Sequence, residues 1–216
     1  FIEALEWAAE KYNLGPVPTN GDFNFELTEE QKAEAKLART RAILYEAVFE
    51  YTNKKLFTLE GKRAYEYLIK DRGYTDDNIK LTEFCAWSSD LDIRDYLLTE
   101  FPDAANDIKA LPLSGHFGDY FDVAFPYRNR QGKITGFIKR ASAPKGIDIV
   151  DKKTGEIHKE VRYDSTYEIS KHDLFGLDKI SKKVDDLIIV EGYPDALYLK
   201  AIGITNIVAV GQGMLS

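Results

Sequence analysis

The sequence predicts an α+β lobe of helices and antiparallel hairpins, followed by the start of an α/β unit with parallel strands. Three observations predict it. Apolar residues recur at helical spacing through most of residues 28–100. Between Phe121 and Ile138 they alternate instead, on either side of the turn-forming Asn129-Arg130-Gln131-Gly132, as in a hairpin. The run Leu187-Ile188-Ile189-Val190 then precedes a helix signal and a second aliphatic run, Ile207 to Val210, which is the order of a βαβ unit.

Taken in order, Phe1, Leu5, Ala8, Ala9 and Tyr12 fall at helical spacing, and Gly15-Pro16-Val17-Pro18 ends that helix. A polar joint leads to Thr28-Glu29-Glu30-Gln31, where the threonine can cap a helix and the glutamine can reach back to it. Leu37, Ile43, Leu44, Ala47 and Val48 keep the helical period to about Leu56. A third helix is expected from Leu59 to Arg72, with Tyr65, Leu68 and Ile69 inward and a stop at Gly73. Short helices are expected at Asp76-Asp77-Asn78-Ile79 and after Ser89 or Asp90 as cap. A second hairpin is expected over residues 146–163, turning at Lys153-Thr154-Gly155.

Composition bounds the class. Of 216 residues, 44% are hydrophobic and 30% charged, and no apolar run is long enough to span a bilayer, so a soluble protein with no membrane partner is expected. Cys85 is the single cysteine, which excludes an internal disulfide framework and a cysteine-rich zinc site and fits a cytoplasmic location. There is no secretory leader pattern, and Phe1 in place of methionine suggests a piece of something longer. The net charge of −7 speaks against a general nucleic-acid binder, but the distribution is uneven. Residues 126–171 carry 11 Lys or Arg against 6 Asp or Glu, whereas the flanking segments are acidic.

The chemistry concentrates at Glu191. Val190 ends a strand, Glu191-Gly192-Tyr193 turns, and Pro194 suits the first position of a helix that Gly203 closes. Parallel strands joined by a right-handed crossover leave their carboxyl ends on a common edge, where ligands bind. Glu191 and the Gly211-Gln212-Gly213 turn both fall on that edge. Asp195, in the first helical turn, benefits from the helix dipole, and with Glu191 it makes a hard, oxygen-rich environment suited to Mg²⁺ or Mn²⁺.

The stretch "IIVEGYPDALYLKAIGITNIVAVGQG" resembles the opening of a toprim domain, the metal-binding fold shared by DnaG-type primases, topoisomerases and some nucleases. "FPYRNRQGKITGFIKR" resembles the primase pattern of a strand, F-P, a basic turn and a second strand ending G-F-x-x-R. "VRYDST" is similar to P-K-Y-x-N-S, "EISKHDLFGLDKI" to F-x-K-x-x-x-L-Y-G-L, and "GKRAYEYLIKDRGYTDDNIKLTEF" to an A-x-x-Y-L-x-x-R-G helix pair. The resemblance implies three parts: the end of a linker helix after an absent zinc ribbon (1–20), the amino-terminal lobe of a primase core (21–184) and the first part of a toprim domain (185–216).

It also implies an activity: synthesis of short RNA primers on single-stranded DNA from ribonucleoside triphosphates, with a replicative helicase as partner through a region outside this chain. Glu191 matches the toprim glutamate and Asp195 the aspartate of the same motif, the two metal ligands. Arg140 and Lys171 match basic catalytic positions, and Arg162 stands where the family has lysine. Arg128, Arg130, Lys139, Gly192, Gly211 and Gly213 are expected at template or nucleotide phosphates. The family's Asp-x-Asp would lie beyond Ser216, so the metal site should be incomplete and this segment alone inactive. Zinc would belong only to a preceding domain.

Departures from the pattern are specific. Asp119-Tyr120-Phe121-Asp122 stands where the family has arginines before F-P, and the turn after the second toprim strand is Gly211-Gln212-Gly213 rather than G-T. A toprim nuclease or topoisomerase, and a non-catalytic single-stranded DNA-binding module, are the rival readings. His116, His158 and His172 are not spaced as a ligand set and are expected at surface or core. Trp7 and Trp87 are expected as core anchors; Tyr120 and Phe121 could stack a template base, with at least one of them expected in the core.

Overall fold

The computed structural model describes residues 28–117, 120–143, 145–150, 154–166, 169, 174–181 and 184–211. The helix expected over 1–14 and the joint after it, Trp7, Lys153, Lys171, His172, Gln212 and Gly213 lie outside them. The chain divides into two compact units, Phe1–Leu37 and Ala38–Ser216.

Helix α1 (Glu29–Leu56) starts in the first unit as the sequence indicates, and its residues from Ala38 onward belong to the second. The Gln31 amide donates to Thr28 Oγ1 at 3.2 Å and the Thr28 amide to Gln31 Oε1 at 2.9 Å, a reciprocal cap.

The second unit holds the remaining helices: α2 (Lys62–Lys70), α3 (Asp76–Lys80), α4 (Asp90–Glu100), α5 (Ala105–Ala110) and α6 (Tyr193–Ala201). Thr75 caps α3 in a full capping box with Asn78, and the Ser89 hydroxyl caps α4 by accepting from the Asp92 amide. The buried face of α2 is Ala64, Tyr67 and Leu68, one step round from the face expected; Tyr65 and Ile69 are only partly buried. On α1 the buried residues are Leu44, Tyr45, Val48, Thr52 and Leu56, while Ile43, expected inward, is exposed. Hydrophobic spacing alone leaves the helix rotation uncertain by one residue, and contact with the sheet sets it.

The sheet that organises this unit has the order β1 (Cys85–Ala86), β2 (Val123–Arg128), β3 (Ile134–Arg140), β6 (Tyr163–Ser165), antiparallel throughout. Strands β2 and β3 are the first expected hairpin, and β4 (Ile147–Val150) and β5 (Ile157–Val161) the second. One face of the main sheet buries Val123, Phe125, Tyr127 and Ile138 with residues of α2 and α6. The other buries Ala124, Ile134 and Phe137 against Leu44, Tyr45, Trp87, Ile93 and Leu97. Each Leu, Ile or Phe so buried stabilises by about 1.5–3 kcal/mol relative to exposure.

The βαβ unit is present as expected: β7 (Ile188–Val190), α6, then β8 (Ile207–Ala209), with β7 and β8 parallel. Ala196, Leu197, Ala201, Ile207 and Ala209 join the same core as β2 and β3. An unbroken aliphatic run such as β7 suits a strand buried on both faces, but Ile188 and Ile189 are 40% and 49% exposed. Among the described residues β7 pairs only with β8.

Candidate active site

The Glu191 turn follows from the strand and helix around it. With Val190 and Ala209 paired in register, both strands end at the same height. The Gly211 amide then donates to the Glu191 carbonyl at 3.0 Å, and Val210 to Val190 at 3.1 Å. Gly192 caps α6 and Pro194 occupies its first turn. A Cβ on Gly192 would come within 2.8 Å of Asp195 Oδ2, so the glycine makes room for that carboxylate. Glu191 and Asp195 are both solvent-exposed.

This turn borders an open cleft of about 460 Å³. The βαβ unit contributes Glu191, Tyr193 and Asp195, and the lobe contributes His116, Phe117 and Tyr163. Burial pushes the Tyr193 phenol above its ordinary value. The Tyr163 phenol is likewise raised by burial, against the opposing pull of Arg140 and Arg72. Both rings are therefore neutral near pH 7 and act as contact surfaces and hydrogen-bonding groups, not bases. Cys85 offers no nucleophile, because it is buried and its thiol is pushed up to about 12.

Arg140, Gly192 and Gly211 lie at or beside the cleft. The Arg140 guanidinium sits 4.6 Å from the centre of the Tyr163 ring and 5.6 Å from that of Tyr67, whose hydroxyl accepts from its Nε. The arginine thus braces a wall residue of the cleft. Arg162 is exposed at the junction of β5 and β6, and Arg130 is exposed on the hairpin turn.

Two basic residues expected at phosphates are placed otherwise. Lys139 is 0% exposed; its Nζ donates to the Leu113 carbonyl at 3.3 Å and lies 5.2 Å from the Trp87 ring centre. Arg128 is enclosed by Glu46, at 2.6 Å, Glu83, at 2.9 Å, and the Gly132 carbonyl, at 2.7 Å. Alternation explains both: successive strand residues point to opposite faces, and both faces of this sheet are covered. A count of basic residues along the hairpin therefore overstates the positive charge it presents. Asp122, one of the acidic departures, accepts from the Ser142 amide at 2.8 Å and pairs with Arg63 at 3.0 Å.

The two carboxylates fit a divalent cation in part. They are hard oxygen donors on one turn, suited to a Mg²⁺ or Mn²⁺ that keeps most of its water. Among the described residues no group of three or more His, Cys, Asp or Glu side chains is placed to hold a metal, and the turn offers two carboxylates.

His116 and Phe117 were not singled out as cleft residues by sequence reasoning, which put His116 at surface or core. The available signal was local: an aromatic pair inside Ser114-Gly115-His116-Phe117-Gly118, a glycine-flanked segment just before the hairpin. Tyr120 is exposed and Phe121 is buried, so Phe121 is the one of the two that packs in the core.

No family model matches the chain. It is 27% identical over 225 residues to the DNA primase of Staphylococcus epidermidis, covering 97% of this chain and 34% of that protein. It is 26% identical over 238 residues to the DNA primase of Staphylococcus aureus strain COL, covering 100% of this chain and 35% of that one. The chain thus spans about a third of the length of the curated relatives it matches. The fold is shared with the RNA polymerase domain of Mycobacterium tuberculosis primase DnaG, at TM-score 0.60 and 21% identity over 84% of this chain and 58% of that one. It is shared with a DnaG primase catalytic domain bound to single-stranded DNA, at TM-score 0.57 and 22% identity over 82% and 55%. The zinc-binding and RNA polymerase domains of Aquifex aeolicus primase give TM-score 0.56 at 21% identity, over 99% of this chain and 49% of that one.

Proposed function

We propose that the chain is part of a DnaG-type DNA primase, comprising the amino-terminal lobe of the RNA-polymerising core up to about residue 184 and the first βαβ of its toprim domain. The carrying observation is the cleft itself. Glu191 and Asp195 stand at the carboxyl end of a parallel strand, beside a lobe whose fold is that of DnaG catalytic cores. The full protein makes short RNA primers on single-stranded DNA from ribonucleoside triphosphates. A bound Mg²⁺ or Mn²⁺ would supply charge neutralisation at the phosphates and activation of the primer 3′-hydroxyl.

Glu191 and Asp195 would hold that ion, with other carboxylates of the full protein completing its shell. Arg140 acts through Tyr163 and Tyr67 as well as by its charge, with Lys171 as the second basic catalytic group. Arg162 and Arg130, both exposed, meet template or nucleotide phosphates, where each neutralised phosphate makes binding more salt-dependent. Gly192, Gly211 and Gly213 let backbone approach the ligand edge. The protein works in the cytoplasm beside a replicative helicase, and zinc belongs to a domain preceding this segment.

The test is incubation of the full-length protein with single-stranded DNA, labelled ribonucleotides and Mg²⁺. Template-dependent RNA is the expected product. Cleavage of the DNA would assign a nuclease instead, and binding with neither product would assign a non-catalytic module.

A further inference from the structure

Two charged side chains are withdrawn from water to hold one segment of chain beside the cleft. Lys139 on β3 stands directly opposite Asp164 on β6, and both are buried, at 0% and 6% exposure. Lys139 Nζ holds the Leu113 carbonyl at 3.3 Å. The Asp164 carboxylate accepts from the amides of His116 at 3.0 Å and Phe117 at 3.1 Å, as well as from Ser165 at 2.8 Å. Between these anchors, Gly115 bridges to Thr166, and it must be glycine because a Cβ there would fall on the Asp164 carboxylate. Burying charge is costly unless partners are in place, and the backbone of residues 113–117 supplies three of them here.

The segment so strapped ends in His116 and Phe117, which line the same cleft as Glu191. Phe117 is partly buried and packs against the cluster of Phe121, Ala141 and Ile149. Its ring lies 6.5 Å from that of His116 and 5.1 Å from that of His158, centre to centre, tilted by 60° and 63° rather than stacked. A ring backed by core and opening on a cleft of this size is a surface on which a nucleobase stacks. A divalent cation held at the Glu191 turn would draw the phosphates to that end of the cleft, so the base end is the end that Phe117 receives.

We propose that Phe117 is the stacking surface for the base of the incoming ribonucleoside triphosphate, and that Asp164, through the amides of His116 and Phe117, is the residue that positions it. The inference rests on the cleft being the site of nucleotide polymerisation.

The test is equilibrium binding of a ribose-labelled fluorescent ATP with Mg²⁺ to the full-length protein, with primer synthesis measured alongside. Phe117→Ala should weaken binding about tenfold, the scale of one base–aromatic stack, and raise KM with kcat little changed. Phe117→Tyr should restore it. Asp164→Asn should weaken binding too, and combining it with Phe117→Ala should add nothing further, since both act on one contact. Should Asp164→Asn fail to fold, the Phe117 pair still decides.

Unchanged affinity in Phe117→Ala, with RNA still made, overturns the stacking surface and leaves the primase reading intact. Affinity lost in Phe117→Ala, while the wild type makes no RNA, overturns the primase reading and keeps the stacking surface. Additive losses in the double variant overturn the positioning role of Asp164, and a wild type that binds no nucleotide overturns both.

Discussion

The amide of Gly211 donates to the carbonyl of Glu191 at 3.0 Å, which ties the turn after β8 to the turn after β7. Gly211 does so at φ +70°, and a Cβ there would fall on the Tyr193 phenol. Gly211→Ala is therefore expected to destabilise by about 1–3 kcal/mol through left-handed strain and the displaced ring. Denaturant unfolding checks this, and the same variant should lose primer synthesis because Glu191 shifts with the turn.

Arg140 is held by geometry that lysine cannot copy. Its planar guanidinium stacks on Tyr163 and donates to Tyr67. Arg140→Lys should cost about 1–2 kcal/mol of stability, because a compact ammonium loses both the stack and the directed hydrogen bond. Near-wild-type unfolding of Arg140→Lys would show that the charge alone matters.

Basic residues of the hairpin should separate into two kinds. Arg128→Ala strips Glu46 and Glu83 of their shared partner and should destabilise by about 1–3 kcal/mol, with no change in the DNA affinity of the folded protein. Arg130→Ala and Arg162→Ala, at exposed positions, should alter stability less than Arg128→Ala does. Each should instead lower the dependence of single-stranded DNA binding on log salt by about 0.7. Salt titrations of the variants distinguish the kinds.

Acid sensitivity should localise in part to Asp92. Burial works against its ionisation, but hydrogen bonds from Ser88, Lys55 and Tyr51 outweigh it and hold the carboxyl below the usual range. A carboxyl lowered in the folded state adds stability above its unfolded value, about 3.9, and loses it as pH falls through the folded value. Wild type should therefore lose stability more steeply than Asp92→Asn below about pH 4, the two curves converging. Parallel curves across that range would contradict the assignment.

The local signals in the sequence translated directly into structure. Thr28 and Gln31 cap α1, Ser89 caps α4, and Pro194 opens α6 where the βαβ reading required it. Glu191 was placed at the ligand edge by strand and helix order alone, and the cleft lies there. What the sequence withheld was cross-strand register. That Lys139 meets Asp164, and that both turn inward to hold residues 113–117, depends on pairing β3 with a strand more than twenty residues away. The same pairing took Lys139 out of the basic surface. Helix rotation was missed for the same reason, since Ile43 and Leu44 are equally apolar and only the sheet decides which is buried.

The most direct measurement is primer synthesis by the full-length protein on single-stranded DNA as Mg²⁺ is raised, comparing wild type with Glu191→Gln. The account predicts RNA from the wild type, and from the variant none at any Mg²⁺ concentration, although it folds and binds DNA as before. Undiminished RNA from Glu191→Gln would contradict it, because the catalytic cation would then not depend on the turn at the end of β7.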